Sequence, residues 1–333
     1  MVQPLRKAGP PMKAIVYRDF GSPDVLRREE IEKPVPRENE VLIRVRAAGL
    51  NPLDWKLMKG RPWVLRLVMG LHKAKRPGVD VAGEVEAVGA KVSEFKPGDA
   101  VFGGCRGALA DYVCVPVSAL AIKPANVSFE AAAAVPIAGW TALQGLRDKG
   151  HVAAGQRVLI NGAAGGVGTF AVQIAKHFGA EVTGVCSTKN IELVRSIGAD
   201  QVIDYTQQKL TEANQQYDVI LECVGNLSPK QVRQILKPRG RCVMVGASPD
   251  AGLMTILAGM VKLFVSGPFM KQEILVFMAK RSLGDLKLLA ELTQTGKVKP
   301  VIDRCWALGE TPEAMRHLEE GHARGKVVIA VDA

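Results

Sequence analysis

Between Gln156 and Lys189 the chain carries a run of small residues of the kind that lets a backbone close around an anion. Gly162-Ala163-Ala164-Gly165-Gly166-Val167-Gly168 follows an apolar stretch of strand type, Gln156–Asn161. It leads into a helical pattern with Phe170, Ile174 and Phe178 on one face, and then into a second apolar stretch, Val182–Cys186. Strand, glycine turn, helix and strand in about thirty residues make the smallest βαβ unit that grips a dinucleotide pyrophosphate. Ala163 stands where the fingerprint begins with glycine, so the string reads AxGxxG. Gly165 lets the backbone approach the phosphates, and Gly168 lets the helix pack on the strand. Gly166 and Val167 open the helix, whose unpaired N–H groups and positive dipole end favour an anion.

The residues after the second strand choose the nucleotide. A site for an unphosphorylated ribose needs a carboxylate there, but the chain reads Cys186-Ser187-Thr188-Lys189, with no acid before Glu192. Two hydroxyls and an ammonium suit a 2′-phosphate, which predicts NADP(H). Ser187 or Thr188 would also start the next helix well, and the two roles are compatible.

The elements that must position these residues follow from length and pattern. The 333 residues suit two domains, and 47% hydrophobic with 23% charged residues is ordinary for a globular protein. Alternating runs at Met12–Arg18, Val25–Ile31, Glu40–Ala48 and Gly78–Gly89, followed by short strands to Val115, predict a β-rich barrel-like domain. Asn51-Pro52 is a natural helix start. From Ser128 the chain turns alanine-rich and helical. Strands and helices then alternate to Val245, as in a doubly wound parallel sheet that binds ligands at the carboxyl ends of its strands. Helix, strand, helix and strand between Leu283 and Val331 return to the first domain.

Composition narrows the classes. Cys105, Cys114, Cys186, Cys223, Cys242 and Cys305 form no CxxC pair, so reduced thiols and a cytoplasmic location are expected. Met1–Met12 is polar and basic, a loose extension rather than a signal core. Gly252–Met270 is interrupted by Lys262, Ser266 and Pro268, which fits a buried helix and strand better than a membrane span. Net charge is +11, concentrated at Lys56, Lys59, Arg61, Arg66, Lys73, Lys75 and Arg76. Without aromatic-basic interleaving or a recognised module this does not predict nucleic-acid binding. Trp63–Arg76 could instead form a lip over an apolar substrate. A membrane-surface role for it is the weaker alternative, and a packed helix with a solvated basic edge the stronger.

The whole order resembles the medium-chain dehydrogenase/reductase superfamily, in its zinc-free quinone oxidoreductase branch. The strings that carry the likeness are MKAIVY, AAGLNPLDWKLMKG, GVDVAGEVEAVG, FKPGDAVFG, AAAAVPIAGWTAL, NGAAGGVGTFAVQIAKHFGA, GADQVIDY and RGKVVIAV. The resemblance implies an α/β architecture: a discontinuous GroES-like β-rich catalytic domain (1–127 and 269–333) and a Rossmann doubly wound parallel sheet (128–268). It also implies the nicotinamide in the cleft between them, and a homodimer. Asn51 and Thr141 match positions beside the nicotinamide, although Asn51 serves equally well as a helix cap. Tyr205 should lie along the adenine ribose phosphate, and Cys223-Val224-Gly225 should border the cofactor on its far side. Relatives with catalytic zinc carry cysteine and histidine where this chain has Asn51, Val79 and Pro136–Ile137, so no metal is expected. Where enoyl reductases place a tyrosine, Gly60-Arg61-Pro62-Trp63 offers Trp63, which cannot donate a hydroxyl proton. Asp54 and His72 are poor substitutes, and no proton donor stands out. The expectation is NADPH-dependent reduction of a quinone or α,β-unsaturated carbonyl by hydride transfer, the alternative an NADPH-binding protein without turnover.

Overall fold

The computed structural model describes residues 11–60, 75–213, 215–246 and 272–331. Trp63, Arg66, Leu67, Leu71, His72 and Lys73, with the lip they were expected to form, lie outside the described residues, as does Gly252–Met270. Two sheets dominate what is described. Six strands run parallel in the order Gln201–Asp204, Glu181–Cys186, Arg157–Asn161, Tyr217–Glu222, Leu236–Met244, Glu273–Val276. The central strands carry continuous rather than alternating apolar residues because both faces are covered, as parallel sheets require. Sequence order reverses on either side of Arg157–Asn161, which opens a crevice at the carboxyl ends of these strands.

The second sheet has the order Ile302–Ala307, Lys326–Ala330, Glu40–Leu50, Asp80–Val88, Ala100–Gly104, Leu120–Ile122, with Tyr112–Pro116 also paired to Glu40–Leu50. Lys326–Ala330 pairs antiparallel with Glu40–Leu50, so the tail does return to the first domain. It returns later than the expected boundary at 269, because Glu273–Val276 is still a strand of the parallel sheet. The apolar Glu273–Val276 run is too short for its pattern to tell which sheet it joins.

The alanine-rich segment is two helices, Phe129–Ala133 and Pro136–Gln144, followed by a π-type turn, Gly145–Lys149. Pro136 causes the break: it has no N–H to continue the first helix but suits the first turn of the second. Ser128 caps the first helix by accepting the Ala131 N–H at 3.1 Å. Trp140, Leu143 and Phe170 are fully buried in the core that joins these helices to the parallel sheet. A second core, around Ile43, Leu50, Met58 and Leu109, fills the β-rich domain. No helix among the described residues is long and apolar enough to cross a membrane.

Candidate active site

A cavity of 670 Å³ opens at the carboxyl ends of the parallel strands, between the glycine turn and the β-rich domain. Gly165, Gly166, Val167 and Gly168 line it from one side and Leu50, Asn51, Pro52, Trp55, Lys56 and Lys326 from the other. Among the described residues its charged lining is mostly basic, with Lys56, Lys189, Lys209 and Lys326 against a single acid, Glu319, and His322 nearby on the same lining.

The glycine turn fits a diphosphate. Gly162 takes φ 80°, a left-handed conformation that favours glycine. A Cβ on Gly168 would collide with the Gly162 carbonyl oxygen, so the helix start can sit on the turn only as glycine. Gly165 precedes the helix Gly166–His177 and offers no side-chain cap, which leaves the first-turn N–H groups for a ligand in the cavity. Ala163 is fully buried beneath the turn instead of lining it.

On the opposite side lies a buried polar cluster. Asn51 donates its side-chain amide to Asp80 Oδ2 at 2.8 Å and to the Gly49 carbonyl at 3.3 Å. Its Oδ1 accepts from Lys326 Nζ at 2.6 Å, and Lys326 also donates to the Leu50 carbonyl at 2.9 Å and to Asp80 Oδ2 at 3.3 Å. Asp80 takes a further bond from the Ile137 N–H at 3.0 Å. Burial raises the Asp80 carboxyl, while Lys326, Asn51 and the Ile137 N–H pull it back toward ionisation. Beneath Asn51, the Asp54 carboxylate accepts the N–H groups of Asn51 and Gly78, both at 2.9 Å. Loss of solvent pushes Asp54 up to about 7 despite those two bonds.

Comparison with known proteins agrees with this arrangement. The family described as "Alcohol dehydrogenase GroES-like domain" matches residues 37–125, and that described as "Zinc-binding dehydrogenase" matches residues 197–329. The NADPH-dependent alkenal/one oxidoreductase, chloroplastic, of Arabidopsis thaliana is 36% identical over 335 residues, spanning 96% of this chain and 79% of that protein. Quinone-oxidoreductase QR1, chloroplastic, of Triphysaria versicolor is 34% identical over 342 residues, 97% of this chain and 99% of that one. The structure of the quinone oxidoreductase from Coxiella burnetii superposes with a TM-score of 0.85 at 34% identity, covering 97% of this chain and 100% of that chain.

The chain belongs to the medium-chain dehydrogenase/reductase superfamily, in its quinone-oxidoreductase branch. As a member it is an oxidoreductase, and its cofactor is NADP(H). This superfamily member places Ser187, Lys189 and Tyr205 on the cavity lining, with Tyr205 59% exposed and able to lie against a ligand. Cys223 and Val224 line it as well; Gly225 does not, and its N–H, like that of Val224, bonds to Glu222 Oε1, at 2.7 and 2.8 Å. Thr188 also falls outside the lining. Its hydroxyl is held by Asp204 and, at 2.9 Å, by Thr206, so it braces the neighbouring strand end rather than a phosphate. Thr141 is likewise not on the lining: it donates to the Ile137 carbonyl at 2.7 Å within its own helix, and Ala138 faces the cavity in its place. Asn51 reaches the cavity and is the N-cap of the helix Pro52–Lys59, its own N–H taken by Asp54, but it has no amide hydrogen left for a substrate.

Sequence reading missed Lys326, Asn161, Lys209 and His322. Asn161 lines the cavity and donates to both oxygens of the buried Glu222, at 2.9 and 2.8 Å. As the last residue of its strand it carried a positional signal. Lys326 carried none beyond its place in RGKVV.

Proposed function

We propose that the chain is an NADPH-dependent reductase of quinones or α,β-unsaturated carbonyls that works without zinc. The observation that carries this reading is the Lys326 ammonium seated between Asn51 and Asp80. The resemblance puts the zinc ligands of related alcohol dehydrogenases at Asn51 and next to Asp80. Here that polar pocket is filled by a resident cation, and an amide and an ammonium are not zinc donors. Among the described residues no three His, Cys, Asp or Glu side chains gather as a metal site would require. Without a Lewis acid to polarise an alcohol or a simple carbonyl, the acceptor has to be electron-poor in its own right. The relatives named for alkenal/one and quinone reduction support that class.

NADPH supplies the hydride, and the protein supplies place and field. The glycine turn and the start of its helix hold the diphosphate. Ser187, Lys189 and Tyr205 hold the 2′-phosphate, and Lys209 adds a further positive charge to the same cavity. Leu50, Trp55, Ala138 and Val327 provide an apolar surface for the acceptor. Lys56 stands on that side of the cavity, and burial lowers its pKa, which eases release of a proton to the reduced acceptor. A homodimer in the cytoplasm completes the proposal.

The test is NADPH oxidation with a panel of quinones and enones, run beside primary alcohols with NADP+ and with metal content measured on the same sample. Turnover of the electron-poor acceptors alone, at under one zinc per ten chains, supports the reading. Tight stoichiometric zinc, or oxidation of alcohols, would sink it. Cofactor binding with no acceptor turned over would instead favour a non-catalytic NADPH-binding protein.

A further inference from the structure

Lys326 joins two structures that chain distance keeps apart. Immediately before it, Gly325 donates its N–H to the Ala164 carbonyl at 2.8 Å and runs parallel to Gly165, so the β-rich domain bonds directly to the glycine turn. Gly325 has φ 99°, and a Cβ there would collide with the Val301 carbonyl oxygen, so this junction requires glycine. The Lys326 stem then lies over the turn: a Cβ on Gly166 would come 3.2 Å from its Cδ. Its ammonium ends 3% exposed, with three donors on three acceptors, Leu50 O, Asn51 Oδ1 and Asp80 Oδ2. A second tie holds the same helix further along. Gln173 donates to the Lys299 carbonyl at 3.0 Å and accepts the Lys299 N–H at 2.7 Å.

We propose that Lys326 is a positioning residue that sets NADP(H) affinity without hydrogen-bonding the cofactor. It fixes the glycine turn against Asn51 and presents positive charge beside the diphosphate. Its hydrogens are fully used by the protein, so it acts by field and by geometry. The pair it forms with Asp80 is polarised across the site, since Lys326 lines the cavity and Asp80 does not. In a desolvated setting such a charge is felt strongly by a neighbouring anion. The inference rests on the cofactor alone and stands or falls independently of the acceptor.

Lys326→Met by itself strands a buried carboxylate, so the informative protein is Asp80→Asn/Lys326→Met, in which both charges go together. NADPH affinity is read by fluorescence, and 2′-AMP serves as a probe confined to the Ser187–Lys189 end. The double variant is expected to fold, to bind NADPH about tenfold more weakly, within the usual range of site-to-site coupling, and to bind 2′-AMP unchanged. NADPH affinity within twofold of the parent, or equal losses for both ligands, would overturn the proposal. A measurement on the parent protein guards against a variant that does not fold. NADPH should slow amide exchange at Leu50–Asp54 as well as at Gly165–Thr169, and protection confined to the glycine turn would refute the coupling. Absence of quinone turnover in the parent would bear on the proposed function and leave these binding results as they are.

Discussion

At the glycine turn the cavity is walled by backbone: Gly165, Gly166 and Gly168 contribute N–H groups, close approach and no side chain. On the catalytic side Asn51 and Lys326 line it, with Asp54 and Asp80 behind them, and none of the four side chains has solvent to fall back on, all being at most 4% exposed. The first wall tolerates no added atoms, and its strength comes from shape. The second tolerates no unpaired charge, and its strength comes from complete hydrogen bonding. A wall of the first kind can be broken by one methyl group, one of the second kind by one proton.

The sharpest break is Gly168→Ala. The new Cβ would strike the Gly162 carbonyl, and overpacking of this sort costs about 1–3 kcal/mol in stability. Because the helix start must shift to relieve it, NADPH affinity is expected to drop by about a hundredfold or more, measured by fluorescence titration. Charge reversal at the 2′-phosphate end of the nucleotide side comes next. Lys189→Glu should cut the preference for NADPH over NADH by about ten- to a hundredfold, the worth of one charged hydrogen bond, as read from the two Kd values. An unchanged ratio would remove Lys189 from the phosphate site.

The other wall is tested by pH. Asp54, pushed up to about 7, holds its proton in the folded chain at pH values where the unfolded carboxyl, near 3.9, has lost it. The folded state therefore binds more protons between about pH 4 and 7, and this contribution to stability is lost as pH rises through 7. Asp54→Asn should flatten that dependence: the difference in Tm between variant and parent grows from about pH 5 to about pH 8. A parallel pair of curves would mean that Asp54 is ionised throughout. The smallest effect belongs to Thr188→Val, which loses the bonds to Asp204 and Thr206. It should cost about 1 kcal/mol in stability and leave the NADPH to NADH ratio alone, in contrast with Lys189→Glu.

The same contrast explains what could be read from the amino-acid sequence. The glycine turn was legible because strand, turn and helix are local, and because each glycine has a steric reason that needs no partner. The family strings extended that to the two-domain architecture. The polar cluster was not legible, because Lys326 lies 275 positions from Asn51 and 246 from Asp80. Taken singly, an asparagine before proline reads as a cap, and a lysine opening a strand reads as solvated. Thr188 and Thr141 show a finer limit. Their positions were near the site, but the direction of each hydroxyl was settled by an acceptor within reach, Asp204 in one case and Ile137 in the other. The boundary at 269 failed because Glu273–Val276 carries no pattern that distinguishes one sheet from the other.

The pairing of Lys326–Ala330 with Glu40–Leu50 has a consequence for biogenesis. The Leu50 carbonyl meets its Lys326 partner across 276 positions of chain. At roughly 5–20 residues per second on the ribosome, the Glu40–Leu50 edge waits about 14–55 s for its last neighbour. An open strand edge held that long is a template for pairing with other nascent chains. Expression in this scaffold should therefore be governed by how well that waiting edge is shielded during synthesis, more than by the final stability of the finished sheet.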